Sequence, residues 1–167
     1  MPKKLRRHFL KGKQGERILE EASRKLGVNF EKIFKKKMQV ELLETEFAEF
    51  FIVNGKLALA RKNGKIFPTL IFKEFFSMAP KIIIDMGAIP YVCNGANVMA
   101  PGIVRFEGKF KKGDIVLVVD EKYGKPLAVG EACSDISEAE RLEHGVVVKN
   151  IHFVGDKLWN FMKEIMR

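Results

Sequence analysis

One segment in the middle of the chain constrains its fold more than any other. The stretch DMGAIPYVCNGANVMAPGIV, residues 85–104, sets a glycine turn, a short helical run and a glycine-opened loop between two apolar segments. Gly87, Gly95 and Gly102 are spaced along it, and a glycine lets another backbone approach closely because it has no Cβ. No set of nucleophile, base and metal ligands lies within the stretch. The pattern therefore predicts a compact binding surface built largely of backbone.

Each end of the helix predicted in this segment carries a local signal. Pro90 suits the first helical turn, and Gly95 is placed to end the helix in the left-handed conformation. We expect Tyr91 to pack inward or against the sheet, and the backbone N–H groups of residues 96–98 to face outward, where such groups can bind phosphate or base edges. The residues alone are also compatible with an alternative, in which this segment is a plain connection between a helix and a strand and binds nothing.

The charge of the chain is concentrated in its first half. Residues 1–78 hold 18 Lys and Arg against 9 Asp and Glu, whereas residues 79–167 hold 12 of each, so the formal net charge of +9 belongs to the first half. This asymmetry indicates contact with a polyanion, although proteins of hot environments also carry basic, solvated surfaces. The run Lys35, Lys36 and Lys37 fits either a solvated helix end or a phosphate contact.

Length and composition are typical of a globular protein with two domains. The 167 residues are 47% hydrophobic, yet no apolar run reaches the roughly 20 residues that a membrane helix needs. No apolar stretch of the secretory type follows the basic start, so we expect a cytoplasmic protein without membrane contact. The composition changes near residues 77–80, which predicts a basic α/β domain over 1–78 and a second domain over 79–167.

The sequence predicts neither a catalytic site nor a metal site. The three histidines, His8, His144 and His152, lack partners spaced as in a catalytic triad, and His152 fits a buried structural role within a strand. Cys93 and Cys133 have no neighbouring ligands with the spacing of a zinc site. We therefore expect a non-enzymatic protein that uses no cofactor and no metal.

The first half alternates helical and strand patterns. Apolar spacing predicts a helix over 15–26 and a shorter one over 30–36. Met38, Val40 and Leu42 alternate with polar residues, which predicts a half-buried strand. Asn-Gly pairs at 54–55 and 63–64 each suit a type I′ turn, because both central residues of that turn need positive φ. Together with the apolar runs that flank them, they predict a three-stranded antiparallel meander, followed by a short helix over 70–76.

The second half is rich in strand patterns. Short strands separated by glycine turns predict a small barrel or sandwich. Ser137 and Glu140 have the spacing of a capping box, which predicts a short helix that begins at Ser137. The predicted strands cover residues 82–85, 102–106, 115–120, 126–132 and 146–153.

The segment quoted first, with KKGDIVLVV and PLAVGEA further along, resembles the PUA domain, which is named after pseudouridine synthases and archaeosine transglycosylases. The resemblance covers about residues 79–155. It implies a β pseudo-barrel that binds RNA across its first helix, the glycine loop after that helix and the adjoining strands. Carried onto this chain, the RNA-binding residues are Gly87, Ala88, Gly95, Ala96, Asn97, Val98 and Met99.

The resemblance extends to the rest of the chain. VNGKLALARKNGKIFPTL in the first half and GVVVKNIHFVGDKLWNF at the end are similar to the malignant T-cell amplified sequence family and to part of ligatin. Those proteins join a small α/β domain to a PUA domain, which implies an α+β fold here. The resemblance also implies action on the small ribosomal subunit, in recycling, re-initiation or delivery of initiator tRNA. The basic opening LRRHFLKGKQGER departs from the eukaryotic members, and we interpret the chain as an archaeal member, for which a eukaryotic partner protein need not exist.

The combined hypothesis is an RNA-binding protein that acts in translation on rRNA or tRNA. Lys35, Lys36 and Lys37 would contact phosphates, and the glycine loop would recognise the shape of the RNA. Two alternatives stay open from the sequence. One is a non-catalytic accessory subunit that presents tRNA to an RNA-modification enzyme, and the other is an adaptor that binds only proteins.

Overall fold

The computed structural model describes residues 5–166 and combines short helices with two sheets. The chain divides into two compact units, one that ends at Met78 and one that begins at Ala79. The α+β fold class expected from the sequence is confirmed. Residues 1–4, at the start of the basic opening, and residue 167 lie outside the described residues. Within residues 5–166, no helix is both long enough and apolar enough to cross a membrane.

The first unit is built on a five-stranded antiparallel sheet. Both Asn-Gly pairs form the predicted turns: Asn54 and Asn63 have φ of 48° and 53°, and the glycines that follow them have φ of 81° and 76°. The predicted three-stranded meander is present, and two more strands extend it on one side: one that begins at Val40, which the alternation there predicts, and one over Leu5–Phe9, which was not predicted. In order across the sheet, the strands are β1 (Leu5–Phe9), β2 (Val40–Thr45), β3 (Glu49–Val53), β4 (Lys56–Lys62) and β5 (Lys65–Pro68).

The first helix of this unit, α1 (Gly12–Leu26), begins three residues before its predicted start. Leu19, Ala22 and Leu26 form the buried face that their helical spacing predicts. The helix ends at Gly27, whose φ of 68° places it in the left-handed region, and the Gly27 N–H donates to the carbonyl of the preceding turn.

Two shorter helices follow, and both are shorter than predicted. The Asn29 side chain caps α2 (Phe30–Phe34), as its position suggests. The helix stops there because Lys35 turns the chain with a φ of 55°. Before α3 (Lys73–Phe76), residues 69–72 form a turn instead of a first helical turn, so this helix begins three residues later than predicted.

The second unit is a curled sheet of six strands. Five of its strands lie within one residue of their predicted bounds, and the two-residue β7 was not predicted. The strands β6 and β9 run parallel, with Ile82 opposite Val118, and the other neighbours run antiparallel. In order across the sheet, the strands are β7 (Val98–Met99), β11 (Val146–Phe153), β10 (Pro126–Ala132), β9 (Ile115–Asp120), β6 (Lys81–Ile84) and β8 (Ile103–Glu107).

The short helix near residue 137 does not use the predicted capping box. The helix α5 (Ile136–Ala139) already contains Ser137, and the N-cap position is held by Asp135. The Asp135 carboxylate accepts a hydrogen bond from the Lys112 N–H at 2.8 Å, 23 residues away in sequence. The prediction that Ser137 and Glu140 form a capping box is therefore wrong. The N-cap residue is Asp135, which a long-range contact holds in place.

The final helix, α6 (Lys157–Ile165), confirms the structural role expected for His152. The Asp156 side chain caps α6 by accepting a hydrogen bond from the Trp159 N–H at 2.7 Å. Its other oxygen lies 2.8 Å from Nδ1 of His152, which is fully buried. His152 thus joins the last strand to the start of the last helix.

Candidate nucleic-acid interface

The helix at the candidate site begins in a turn that Asp85 holds. A short 3-10 turn leads directly from β6 into α4 (Ile89–Val92). The Asp85 carboxylate accepts a hydrogen bond from the Ala88 N–H at 2.8 Å, and Pro90 lies in the first turn of α4, as predicted. Gly87 is exposed within this turn. The capped turn fixes the direction in which α4 leaves the sheet.

The other end of α4 closes at Gly95, as its position predicts. The Gly95 N–H donates to the carbonyl of Val92 and the Ala96 N–H donates to the carbonyl of Tyr91, both at 3.0 Å. With a φ of 95° at Gly95, these two bonds form a Schellman motif, in which glycine occupies the left-handed position. The motif satisfies helix carbonyls that would otherwise lack donors.

The expectation that residues 96–98 present backbone N–H groups to a ligand is wrong for Ala96. The N–H of Ala96 is already bonded to Tyr91. Val98 belongs to β7, opposite Val148 of β11, and its side chain is buried. The Ala96 N–H is therefore used within the fold and is not a free backbone donor.

Asn150 of β11 anchors the loop after α4, and the sequence did not single it out. Its Nδ2 donates to the carbonyls of Val92 at 3.0 Å and Ala96 at 2.9 Å. Its backbone N–H donates to Oδ1 of Asn97 at 2.9 Å. An asparagine in the middle of the strand VVVKNIHF is the one sequence signal that points to this role.

An apolar groove of about 250 Å³ lies between α4 and the start of β7. Tyr91 is 70% exposed and Met99 is 45% exposed beside it. The expectation that Tyr91 packs inward is therefore wrong, because α4 is only four residues long and turns just Val92 fully into the core. The groove is lined by Ala88, Tyr91, Val92, Ala96, Asn97, Val98, Met99 and Gly102.

The three predicted lysines line a separate cleft in the first unit. Lys35, Lys36 and Lys37 are all exposed, and the cleft of about 720 Å³ lies between them and the first residues of α1. Two carboxylates, those of Glu16 and Glu31, also line it. The left-handed turn at Lys35 presents the three ammonium groups on one short segment.

Comparison with known proteins follows the division into two units. Residues 80–154 match the model of the PUA domain, and residues 6–73 match a domain of unknown function, DUF1947. A protein of Methanocaldococcus jannaschii is 38% identical over 93% of this chain and 96% of its own length. Translation machinery-associated protein 20 of Saccharomyces cerevisiae is 31% identical over 80% of this chain and 78% of its own length.

The chain belongs to the same family of PUA-domain proteins as these two relatives. The malignant T-cell-amplified sequence proteins are relatives as well, so the predicted resemblance is confirmed. A crystal structure of a PUA domain from Aeropyrum pernix K1, described as a tartrate complex, has a TM-score of 0.83 at 29% identity and covers 98% of this chain and 94% of that chain. The expected PUA pseudo-barrel is thus the fold of the second unit.

The PUA domain of this chain brings most of the predicted glycine-loop residues to one groove. Gly87 and Gly95 do not line it, but they form the turns at either end of α4. Lys35, Lys36 and Lys37 belong to the first unit. The predicted residues that line the groove are Ala88, Ala96, Asn97, Val98 and Met99.

Proposed function

We propose that this protein binds structured RNA and acts in translation, on the small ribosomal subunit or on tRNA. The observation that carries the proposal is the similarity to translation machinery-associated protein 20. That similarity covers 80% of the chain, which is more than either unit contains, so it is not limited to the PUA domain. The proposed role is non-catalytic, cytoplasmic and independent of any cofactor.

The groove beside α4 supports this proposal through its chemistry. Its walls are apolar and one edge carries the exposed ring of Tyr91, so that an unpaired base could insert or stack there. Met99 extends the apolar edge. In this proposal Ala88, Ala96 and Asn97 contact the RNA directly, while the buried Val98 shapes the floor of the groove.

The basic first unit supplies the phosphate contacts of the proposal. All of the formal net charge of +9 lies in residues 1–78, and neutralisation of phosphates by lysine and arginine provides most sequence-independent affinity for nucleic acids. We assign phosphate contacts to Lys35, Lys36 and Lys37, which are exposed and adjacent.

Pelleting with purified small ribosomal subunits at near-physiological salt tests the proposal. We expect the full chain to pellet with the subunits, and a Lys35→Glu, Lys36→Glu, Lys37→Glu variant to pellet less because exposed charges accelerate the encounter. The charge-preserving variant with three arginines is the matched control. If the wild-type protein stays in the supernatant but binds free tRNA, the accessory subunit of an RNA-modification enzyme becomes the better explanation.

A further inference from the structure

The turn between β9 and β10 carries a tyrosine whose ring is mostly exposed to solvent. The chain has two tyrosines. One, Tyr91, borders the groove described above, and the other, Tyr123, is 69% exposed at the tip of this turn. A tyrosine ring carries a large apolar surface that is usually at least partly covered in a folded protein. Tyr123 therefore presents a stacking surface that no neighbouring element covers within residues 5–166.

A buried carboxylate holds this turn in one conformation. Asp120, at the end of β9, is only 3% exposed. One of its oxygens accepts hydrogen bonds from the N–H groups of Lys122 at 2.9 Å and Tyr123 at 2.5 Å, and the other accepts from the Lys125 N–H at 2.9 Å. Three donors on one carboxylate fix the backbone beneath Tyr123. A fixed aromatic platform loses less conformational entropy on binding than a mobile one does.

Two lysines of this turn favour a polyanionic ligand. The Lys122 ammonium lies 5.3 Å from the centroid of the Tyr123 ring, and the Lys125 side chain is exposed at the end of the same turn. Glu121 is the one carboxylate among the exposed residues 121–125. A lysine over one face of a ring leaves the other face for a planar ligand, and the adjacent ammonium groups can neutralise phosphates.

The turn also lies at the same end of the sheet as the groove. The Glu121 N–H donates to the carbonyl of Ile84 at 3.0 Å, and the next residue along, Asp85, donates its N–H to the carbonyl of Gly102 at 2.9 Å. Gly102 lines the groove. Two consecutive residues at the end of β6 therefore connect the turn on one side with the groove on the other.

We propose that the β9–β10 turn is a second RNA contact, in which an unpaired base stacks on Tyr123 while Lys122 and Lys125 neutralise the phosphates beside it. This inference rests on the proposed function, since it assigns a further contact for the same RNA. A single-stranded segment that leaves the groove would pass over the end of β6 and reach Tyr123.

Binding of a fluorescein-labelled RNA hairpin with a short single-stranded 3′ tail to the full-length protein tests this contact. Base–aromatic stacking contributes enough that Tyr123→Ala should weaken binding by about 5- to 100-fold, with no change in the dependence on salt. Tyr123→Phe, which keeps the ring, is the control and should bind within about twofold of wild type. Lys122→Ala with Lys125→Ala should instead lower the slope of log K against log salt by about 1.4. Thermal melting of each variant checks that it is folded.

The outcomes separate this contact from the proposed function. If wild type binds the tailed hairpin and Tyr123→Ala binds it equally well, the turn is not an RNA contact, although the groove still can be. If Tyr123→Ala keeps its affinity for the hairpin and for protein-free small-subunit rRNA but no longer pellets with small subunits, the turn contacts a ribosomal protein and the inference is overturned. If wild type binds neither the hairpins nor the subunits, the proposed function itself fails and this contact fails with it.

Discussion

Phe153 stands directly against Gly95. A Cβ on Gly95 would lie 3.3 Å from Cε1 of the Phe153 ring, closer than most side chains approach one another. Gly95 also has a φ of 95°, which side chains other than glycine rarely adopt. The glycine therefore has two structural reasons to be present, and neither of them involves a ligand.

The first prediction separates these two reasons. Gly145 has nearly the same φ, 96°, but nothing lies within 4 Å of its missing Cβ. Gly145→Ala should lower the free energy of unfolding by about 1 kcal/mol through backbone strain alone. Gly95→Ala should lower it by about 2 kcal/mol, because crowding against Phe153 adds to the strain. Chemical denaturation of both variants measures the difference, and equal losses would mean that the Phe153 ring moves aside at no cost.

The second prediction concerns the exposed wall of the groove. Because Tyr91 is 70% exposed, Tyr91→Ala should leave the melting temperature nearly unchanged but lower the free energy of binding to structured RNA by about 1–3 kcal/mol. Tyr91→Phe keeps the ring and should bind like wild type. Fluorescence anisotropy with a labelled RNA hairpin gives the affinities. Normal binding by a folded Tyr91→Ala variant would remove the groove from the RNA interface.

Local backbone signals made much of this fold predictable. The two Asn-Gly turns, the helix end at Gly27 and the helix end at Gly95 all require positive φ, and that requirement is visible in the residues themselves. The long apolar strands of the second unit were equally clear, since β9 is buried at all six positions. Such features depend on residues that are close together in the sequence, so the sequence alone is enough to predict them.

Features that depend on distant partners were missed. All five residues of β1 are exposed on the sheet edge, so LRRHF shows none of the alternation that marks a half-buried strand. Asn150 acquires its role only when β11 lies beside the loop after α4, more than 50 residues away in sequence. The conformation of the turn at Tyr123 likewise depends on the burial of Asp120, and the sequence of the turn does not reveal that burial.

The third prediction concerns acid stability. The N–H of Tyr123, with those of Lys125 and Lys122, holds the pKa of Asp120 below its ordinary value despite burial. Burial raises the pKa of Asp156, but the hydrogen bond with His152 and the N–H groups of Trp159 and Phe153 outweigh it and leave that pKa lowered.

A carboxyl group whose pKa is lower in the folded state binds protons more tightly when unfolded. Its stabilisation is therefore complete above the unfolded pKa of about 4, and is lost as the pH falls through the folded pKa. The free energy of unfolding, measured by chemical denaturation from neutral to strongly acidic pH, should first stay constant and then fall. Asp120→Asn should be less stable at neutral pH and should show a smaller further loss in acid, and an unchanged acid profile would contradict the assignment.

The fourth prediction concerns salt. If Lys35, Lys36 and Lys37 each neutralise one phosphate, replacing all three with glutamine should lower the slope of log K against log salt by about 2. The matched variant with three arginines keeps the charge and should keep the slope. RNA binding measured over a range of salt concentrations gives both values. A slope unchanged by the glutamines would place these lysines on a solvated surface away from the RNA.

The fifth prediction tests Asn150 as the anchor of the loop after α4. Asn150→Ala removes both Nδ2 hydrogen bonds and leaves the carbonyls of Val92 and Ala96 without them, so the free energy of unfolding should fall by about 1–3 kcal/mol. Hydrogen exchange should accelerate at the amides of residues 95–98, because the loop loses its tie to β11. The control is Asn160→Ala, whose side chain makes one exposed hydrogen bond to the Gly155 carbonyl at 3.2 Å, and which should change stability by no more than about 0.5 kcal/mol. If Asn150→Ala also weakens RNA binding while the protein stays folded, the groove requires an ordered loop; unchanged exchange at residues 95–98 would show that the Schellman motif alone holds it.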